Sequence, residues 1–150
     1  MDELRELYQE IILDHNKNPR NFREIENADQ VQEGLNPLCG DHYKFFLVFE
    51  DDKIKDIAFK GAGCAISKAS ASLMSSLLIG KTKDEAEHLF QLFHKVVTGE
   101  LDAVEHRDEL GKLAAFSGVA EFPMRVKCAT LAWHTMHSAL HEEEGAASTE

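Results

Sequence analysis

Three cysteines are the only thiols in the chain, and each lies in a local sequence that favours the thiolate form. Cys39 precedes a glycine in Asn-Pro-Leu-Cys-Gly-Asp, Cys64 follows Gly-Ala-Gly, and Cys128 follows Arg-Val-Lys. A thiolate is the form of cysteine that binds metal ions and attacks sulfur, and nearby cations and helix N-termini stabilise it. Three cysteines cannot all pair within one chain, and a reducing compartment disfavours disulfides. The cysteines therefore indicate metal or thiol chemistry.

A carboxylate accompanies the first cysteine. Asp41 follows Cys39 by two residues, and Gly40 between them permits backbone angles that let both side chains converge on one point. Cys64 is predicted to lie at a strand-to-helix corner, where a helix N-terminus stabilises a thiolate, and Cys128 lies one to two turns into the last predicted helix. Together Cys39, Asp41, Cys64 and Cys128 would form a Cys₃Asp set that suits tetrahedral zinc or an iron–sulfur unit.

Each of these residues also has a simpler structural interpretation. The spacings between the cysteines are 25 and 64 residues, and the chain has no Cys-x-x-Cys pair. Cys64 could be a small apolar residue at a corner, and Cys128 could serve only to pack a helix. Asp41 could cap a turn. Residue types and spacing alone leave a shared site and three separate structural roles both open.

Composition and charge narrow the class of protein. A chain of 150 residues predicts one domain with a real core, and its 43% apolar content is ordinary for a globular protein. The formal charge of −11 repels phosphate backbones, which argues against a nucleic-acid partner. No apolar run has the length of a membrane span, and the N-terminal sequence lacks the pattern of a secretory signal. We therefore expect a cytoplasmic protein that does not enter a membrane.

Periodicity predicts the elements that must position these side chains. The chain is predicted to begin with a helix over 3–15, followed by a short edge strand near Val31 and a hairpin over 43–60. Four helices are predicted after the hairpin. The first covers 65–79, the second begins at a capping box over 82–85 and ends at Gly99, the third covers 109–117 and the last covers 123–140. This order predicts an α+β fold in which a small three-stranded antiparallel sheet packs against a layer of helices, with an N-terminal helix and a long C-terminal helix. Residues 1–144 form the predicted domain, and 145–150 form a polar, acidic tail that is expected to be disordered.

Several charged residues lie near the candidate site or share a helix face. Arg125 could hold Asp41 or a persulfide through charge-assisted bonds, or it could form a surface ion pair. His134, His137 and His141 could share one face of the last helix. A second metal site there is possible, but a partly buried, solvated face is favoured.

Several local sequences closely resemble the IscU/NifU N-terminal family. They are residues 36–41, 61–67, 69–74 and 125–128, and residues 7–20 are similar to the opening helix of that family. The resemblance covers roughly residues 3–140. Scaffold-type members carry a histidine immediately before the third cysteine, where this chain has Lys127. The stretch between Cys64 and Cys128 is also longer here and includes 116–123. Both departures resemble the SufU branch of the family.

The resemblance implies a SufE/NifU-like fold and a zinc-dependent sulfurtransferase of the SUF iron–sulfur cluster assembly system. Cys39, Asp41, Cys64 and Cys128 would hold Zn²⁺. A SufS-type cysteine desulfurase would supply persulfide sulfur, and a downstream SUF scaffold would receive it. Cys39 is the expected acceptor, freed when the partner offers its own side chain to the metal, and Arg125 is expected to assist. The resemblance thus implies a sulfur-transfer partner rather than a stand-alone enzyme.

Two other functions use the same four residues. The first is a scaffold that assembles a [2Fe–2S] cluster on them and transfers it. The second is a purely structural zinc domain, which is less favoured because closed structural sites mostly use four cysteine or histidine ligands.

Overall fold

A sheet forms one layer of the protein, and two helices pack directly against it. The computed structural model describes residues 2–141 and 147–148. Helices α2 and α5 contact the sheet, and α1, α3 and a 3₁₀ segment pack on those helices. The elements are α1 (Asp2–Lys17), β1 (Gln30–Asn36), β2 (Asp41–Glu50), β3 (Lys53–Ala62), α2 (Ala65–Leu78), α3 (Lys83–Val97), α4 (Arg107–Leu110), the 3₁₀ segment (Gly111–Glu121), α5 (Pro123–Leu140) and β4 (Ala147–Ser148). The predicted α+β fold is confirmed.

The three long strands form the predicted antiparallel sheet. The strand order is β3-β2-β1-β4, and β2 pairs antiparallel with both β1 and β3. Phe45 at the centre of β2 lies opposite Gln32 of β1 and Phe59 of β3. Asp51 has a φ of +57° in the tight turn that joins β2 to β3. The predicted hairpin is therefore present, and the edge strand expected near Val31 is β1.

A fourth, two-residue strand lies beside β1. Ala147 and Ser148 pair in parallel with Gly34 and Leu35, respectively, and so cover part of the free edge of β1. Unpaired backbone groups at such an edge are satisfied by an added strand. The sequence predicts a disordered tail over 145–150. These two residues depart from that prediction, and the remainder of the tail lies outside the described residues.

The core lies between the sheet and the helices. Tyr43, Phe45 and Leu47 alternate along β2 and are almost fully buried on its inner face. Trp133 of α5 is fully buried and stacks on Phe93 of α3, with ring centroids 4.9 Å apart. None of the helices within residues 2–141 has the length and apolar character needed to cross a membrane.

Buried hydroxyl groups join α2 to its neighbours. Ser70 donates a hydrogen bond of 2.6 Å to the carbonyl oxygen of Ala129 and accepts one of 3.2 Å from the indole N–H of Trp133. Ser72 bonds to His15 Nδ1 at 2.7 Å. Small side chains let α1 and α5 lie close to α2, and the hydroxyls of Ser70 and Ser72 both have partners, as burial requires. The Ser70 bonds fix α5 relative to α2, and the Ser72 bond fixes α1 relative to α2.

Helix boundaries follow local signals where those signals are strong. The predicted capping box at Thr82 and Glu85 begins α3, and Pro123 is the first residue of α5. The short helix predicted over 109–117 is wrong in form. Helix α4 covers Arg107–Leu110 only, and a 3₁₀ segment then continues to Glu121. Gly111, with a φ of +55°, interrupts the α-helical geometry between them.

We predict that His15 makes the stability of the fold depend on pH. Burial lowers the pKa of His15 to about 4 from its ordinary 6.5, because the charged imidazolium would lose its water. Between about pH 6.5 and pH 4, His15 is therefore protonated in the unfolded chain and neutral in the folded protein. The stabilisation is complete above about pH 6.5 and is lost as the pH falls toward 4.

The measurement is urea unfolding of the parent chain and of His15→Gln at pH 7 and pH 5. Between these values the parent should lose about 2 kcal/mol more unfolding free energy than the variant, which cannot titrate at this position. Equal losses in the two proteins would show that His15 is not responsible.

Candidate metal centre

The turn between β1 and β2 presents Cys39 to solvent. The backbone amides of Cys39 and Gly40 both donate to the carbonyl oxygen of Asn36, at 3.1 and 2.9 Å. Gly40 has a φ of +74°, a left-handed conformation that a residue with a Cβ rarely adopts. The Cys39 side chain is exposed, whereas the turn beneath it is held by these two bonds.

Asp41 is the buried carboxylate among the four candidate ligands, the other three being the cysteines. It is the first residue of β2 and is only 2% exposed. Its Oδ1 accepts a 2.8 Å hydrogen bond from the Cys64 amide, and its Oδ2 lies 3.9 Å from Cys64 Sγ. One oxygen of the carboxylate is thus held by the backbone, and the other is directed toward the cysteines.

Gly63 is a residue whose role the sequence did not reveal. A Cβ at this position would lie 2.6 Å from Asp41 Oδ1, 2.6 Å from Ser67 Oγ and 2.5 Å from the Tyr43 hydroxyl oxygen. Close approach of these three side chains is what requires a glycine here. The Gly-Ala-Gly sequence before Cys64 is the only signal, and it does not distinguish flexibility from crowding.

Cys64 is the N-cap of α2, as predicted. Its sulfur accepts a hydrogen bond from the Ser67 amide at 3.4 Å, at the positive end of the helix dipole. The Ser67 hydroxyl oxygen lies 2.9 Å from the Tyr43 hydroxyl and donates to the Cys64 carbonyl oxygen at 3.1 Å. Ser67 and Tyr43 therefore position this thiol, although sequence reasoning assigned neither a role.

Cys128 completes the group from α5. Its side chain is buried, and its sulfur lies 3.3 Å from Cys39 Sγ and 3.7 Å from Asn36 Nδ2. The donor atoms of Cys39, Asp41 and Cys128 all lie within 4.8 Å of one another. Cys64 joins this trio through its contact with Asp41. The structure thus brings the four sequence-predicted residues together, from positions up to 89 residues apart.

Burial and two neighbouring thiols raise the pKa of the Cys128 thiol. A thiolate at this position would lose water and would lie beside Cys39, Cys64 and the Asp41 carboxylate, all of which oppose more negative charge. A cation bound among these groups would reverse the effect, because a coordinating thiol is deprotonated outright. Soft sulfur donors with one carboxylate fit zinc or an iron–sulfur unit.

Asn36 is a further residue whose role the sequence did not reveal. Its side chain is fully buried, its amide contacts Cys128, and its Oδ1 has no hydrogen-bond partner among the described residues. Its backbone carbonyl also holds the Cys39 turn. The Asn-Pro pair before Leu38 signals a turn in the sequence but not this contact.

Arg125 lies beside a groove and not on Asp41. Its guanidinium carbon lies 4.5 Å from the centroid of the Phe122 ring, and no ion pair joins it to Asp41 within the part of the chain described. Both Arg125 and Phe122 line a groove of about 710 Å³ whose wall also includes Cys64 and Ile12. The suggested contact with Asp41 is therefore absent, whereas a position near a group bound at Cys64 is consistent with the geometry.

Known proteins of similar sequence and structure share this architecture. The model of the NifU-like N-terminal domain matches residues 7–129. An iron–sulfur cluster assembly scaffold protein IscU of Streptococcus pyogenes serotype M1 is 40% identical over 97% of this chain and 90% of its own. A zinc-dependent sulfurtransferase SufU of Bacillus subtilis (strain 168) is 38% identical over 93% of this chain and 92% of its own.

A solved structure agrees with these matches. It is described as a putative iron–sulfur cluster assembly scaffold protein for the SUF system from Fervidobacterium islandicum AW-1. It is 41% identical, covers 87% of this chain and 94% of its own, and superposes with a TM-score of 0.82. Because the family model spans most of the chain and these relatives align along nearly their whole length, the chain belongs to the NifU-like N-terminal domain family.

Proposed function

We propose that this chain serves iron–sulfur cluster assembly in the cytoplasm as a zinc-dependent acceptor of persulfide sulfur from a SufS-type cysteine desulfurase. The observation that carries the proposal is the 3.3 Å approach of Cys39 Sγ and Cys128 Sγ beside the buried Asp41 carboxylate. Three thiols and a carboxylate brought together from distant parts of the chain have no evident packing purpose, and they suit a metal ion.

Cys39, Asp41, Cys64 and Cys128 would hold the zinc. When bound, Zn²⁺ keeps the thiols deprotonated and ordered. The Cys64 amide orients the Asp41 carboxylate through Oδ1, and the Ser67 amide bonds to Cys64 Sγ. Such outer contacts fix the direction of ligands and tune their basicity. Three of the four ligands lie on or beside regular elements, so the fold largely determines their positions.

Cys39 is the thiol best placed to accept sulfur. It is exposed, whereas Cys128 is buried within α5 and Cys64 is only partly accessible. The Cys39 thiolate attacks the outer sulfur of the desulfurase persulfide, a new S–S bond forms at Cys39, and the desulfurase cysteine leaves as a thiolate. The sulfur is then carried as a Cys39 persulfide to a downstream SUF scaffold.

The groove beside Cys64 offers a surface for the desulfurase. Leu13 and Phe122 line it and are 51% and 46% exposed, and Leu38 next to the acceptor is 58% exposed. Large apolar side chains exposed around a reactive site are typical of a surface that binds another protein. Arg125 adds a fixed positive charge to the same groove, where it could meet an anionic persulfide.

The residue before the third cysteine favours sulfur transfer over cluster scaffolding. Lys127 stands where scaffold-type members have a histidine, and among the described residues no histidine belongs to the cysteine group. Because the ammonium of lysine has no free lone pair, Lys127 in its charged form cannot take the place of a histidine ligand. The name of the Bacillus subtilis relative agrees with this assignment.

The second candidate is a scaffold that assembles a [2Fe–2S] cluster on the same four residues. The names of the Streptococcus pyogenes relative and of the Fervidobacterium islandicum structure favour it. Thiolates hold such clusters well, and ligand substitutions occur in natural cluster proteins.

The metal content of protein purified anaerobically without added metal separates the two candidates. We expect a colourless protein with about one zinc per chain, since four donors complete a tetrahedral site. Turnover of the desulfurase should rise when the chain is added and return to its basal rate once zinc is stripped. Visible charge-transfer bands with stoichiometric iron would favour the scaffold. Stimulation that persists without zinc would contradict the mechanism.

The position of the transferred sulfur can be read directly. The three cysteines fall in three different tryptic peptides, 24–44, 61–68 and 128–150. After reaction with the persulfide-loaded desulfurase and alkylation, mass spectrometry should place the added sulfur on peptide 24–44. Cys39→Ser should abolish uptake while the fold survives, because this side chain is exposed. Added sulfur on another peptide, or full transfer to the variant, would overturn the assignment of Cys39.

Arg125 is expected to assist transfer through its charge in the groove. Arg125→Gln should lower the rate of sulfur transfer about tenfold while leaving zinc content unchanged, because its guanidinium does not contact the Asp41 carboxylate. Lys127→Gln removes a neighbouring cation of the same helix and is the matched control. Equal effects of the two substitutions would show that only general charge matters, and loss of zinc in Arg125→Gln would show a structural role.

A further inference from the structure

A second cluster of metal-binding side chains lies where α3 meets α5. Glu87 Oε2 is 2.8 Å from His137 Nδ1 and 3.8 Å from His141 Nε2. The donor atoms of the three residues all lie within 4.8 Å of one another. The sequence favoured a solvated face at the C-terminal histidines over a metal site. The structure places a carboxylate from α3 beside them, 50 residues before His137.

We propose that Glu87, His137 and His141 form a second site for a first-row divalent cation such as Zn²⁺, separate from the cysteine centre. Two imidazoles and one carboxylate are a donor set for zinc or ferrous iron, and three protein ligands leave coordination positions open. The site therefore differs in chemistry from the sulfur-rich group at Cys39, Asp41, Cys64 and Cys128. It would hold an exchangeable ion and not a buried structural one.

The distances match the requirement of a small cation. With metal–ligand bonds of about 2.0–2.2 Å and tetrahedral angles, neighbouring donor atoms lie roughly 3.3–3.6 Å apart. The two measured separations from Glu87 Oε2, 2.8 Å and 3.8 Å, fall on either side of that range. Small side-chain rotations are enough to place all three donors around one ion.

The surrounding residues hold these side chains in position. His137 and His141 are four residues apart on α5, so they project from the same face of the helix. Gln91 donates a 3.3 Å hydrogen bond to Glu87 Oε1, which leaves Oε2 for the histidines. The Phe90 ring stacks on His137 at 4.9 Å with an interplanar angle of 20°. Outer contacts of this kind orient ligands in metal sites.

The cluster is open to solvent and distant from the cysteines. The side chains of Glu87, His137 and His141 are 31%, 29% and 54% exposed. His137 follows Cys128 by nine residues, which corresponds to ~14 Å along α5. The formal charge of −11 also favours binding of cations over anions at exposed sites. An ion from solution can therefore reach this group without disturbing the first centre.

A second histidine–carboxylate pair, His88 with Glu109, serves as an internal control, because it has the same hydrogen bond without a second histidine. His88 Nε2 lies 2.8 Å from Glu109 Oε2, the same separation as in the Glu87–His137 pair. No second imidazole joins that pair within the described metal-binding groups. If hydrogen bonding alone explained Glu87 and His137, the two pairs would behave alike toward metal ions.

The test is calorimetric titration of Co²⁺ into protein that holds only one zinc per chain, at the cysteines, and that carries no histidine tag. Zinc is retained by the cysteines, since Co²⁺ binds a given site more weakly than Zn²⁺. We expect uptake of about one Co²⁺ per chain, with weak visible d–d bands and without the intense near-ultraviolet absorption of thiolate-bound cobalt. Glu87→Gln, His137→Asn and His141→Asn should each weaken binding at least about tenfold, and His88→Asn should not change it.

Three results would each contradict a metal site at Glu87, His137 and His141. No Co²⁺ uptake, uptake that survives the combined His137→Asn and His141→Asn substitutions, or equal loss in His88→Asn would overturn the proposal. Circular dichroism confirms that each variant is folded, which is expected because Glu87→Gln is nearly isosteric and partly exposed. Sulfur transfer and zinc content at the cysteines are measured separately, so failure of the proposed function leaves this test intact.

Discussion

The hydrogen bond from the Cys64 amide to the Asp41 carboxylate joins the start of α2 to the start of β2, and the geometry of the cysteine group depends on it. A buried carboxylate is costly unless it is paired, so this contact also sets where β2 can begin relative to the helix. Gly63 makes the approach possible, since any Cβ there would collide with Asp41 and two hydroxyl groups. This corner fixes Asp41 and Cys64 relative to each other. The positions of the other two thiols then depend on the β1–β2 turn, which carries Cys39, and on α5, which carries Cys128.

Local chemistry made much of the fold predictable. Thr82 and Pro123 mark helix starts through bonds and sterics confined to a few residues, and the alternating aromatic residues of β2 mark a buried strand. The residues of the cysteine group were also identified, because each lies in a short distinctive sequence. Their convergence rested on resemblance, since spacings of 25 and 64 residues do not determine a distance in space.

Features that depend on contacts between distant segments were not predictable in this way. The crowding around Gly63, the buried amide of Asn36 and the pairing of Glu87 with two histidines all join side chains from separate elements. Phe116 in the 3₁₀ segment likewise packs edge-on against Phe93 of α3, a contact between separate elements. Helix α5 contributes to both clusters, through Cys128 and through His137 and His141. Ser70 of α2 anchors the helix between these positions, at Ala129 and Trp133.

The closeness of two sulfur atoms also creates a chemical hazard. Cys39 Sγ and Cys128 Sγ are 3.3 Å apart, about 1.3 Å more than a disulfide bond. An oxidant that removes two electrons and two protons would couple the two thiols into a disulfide. This disulfide would link the β1–β2 turn covalently to α5 and would remove both thiols from metal binding and sulfur transfer. Aerobic handling can therefore inactivate a correctly folded chain without unfolding it, and a reductant is needed to recover it.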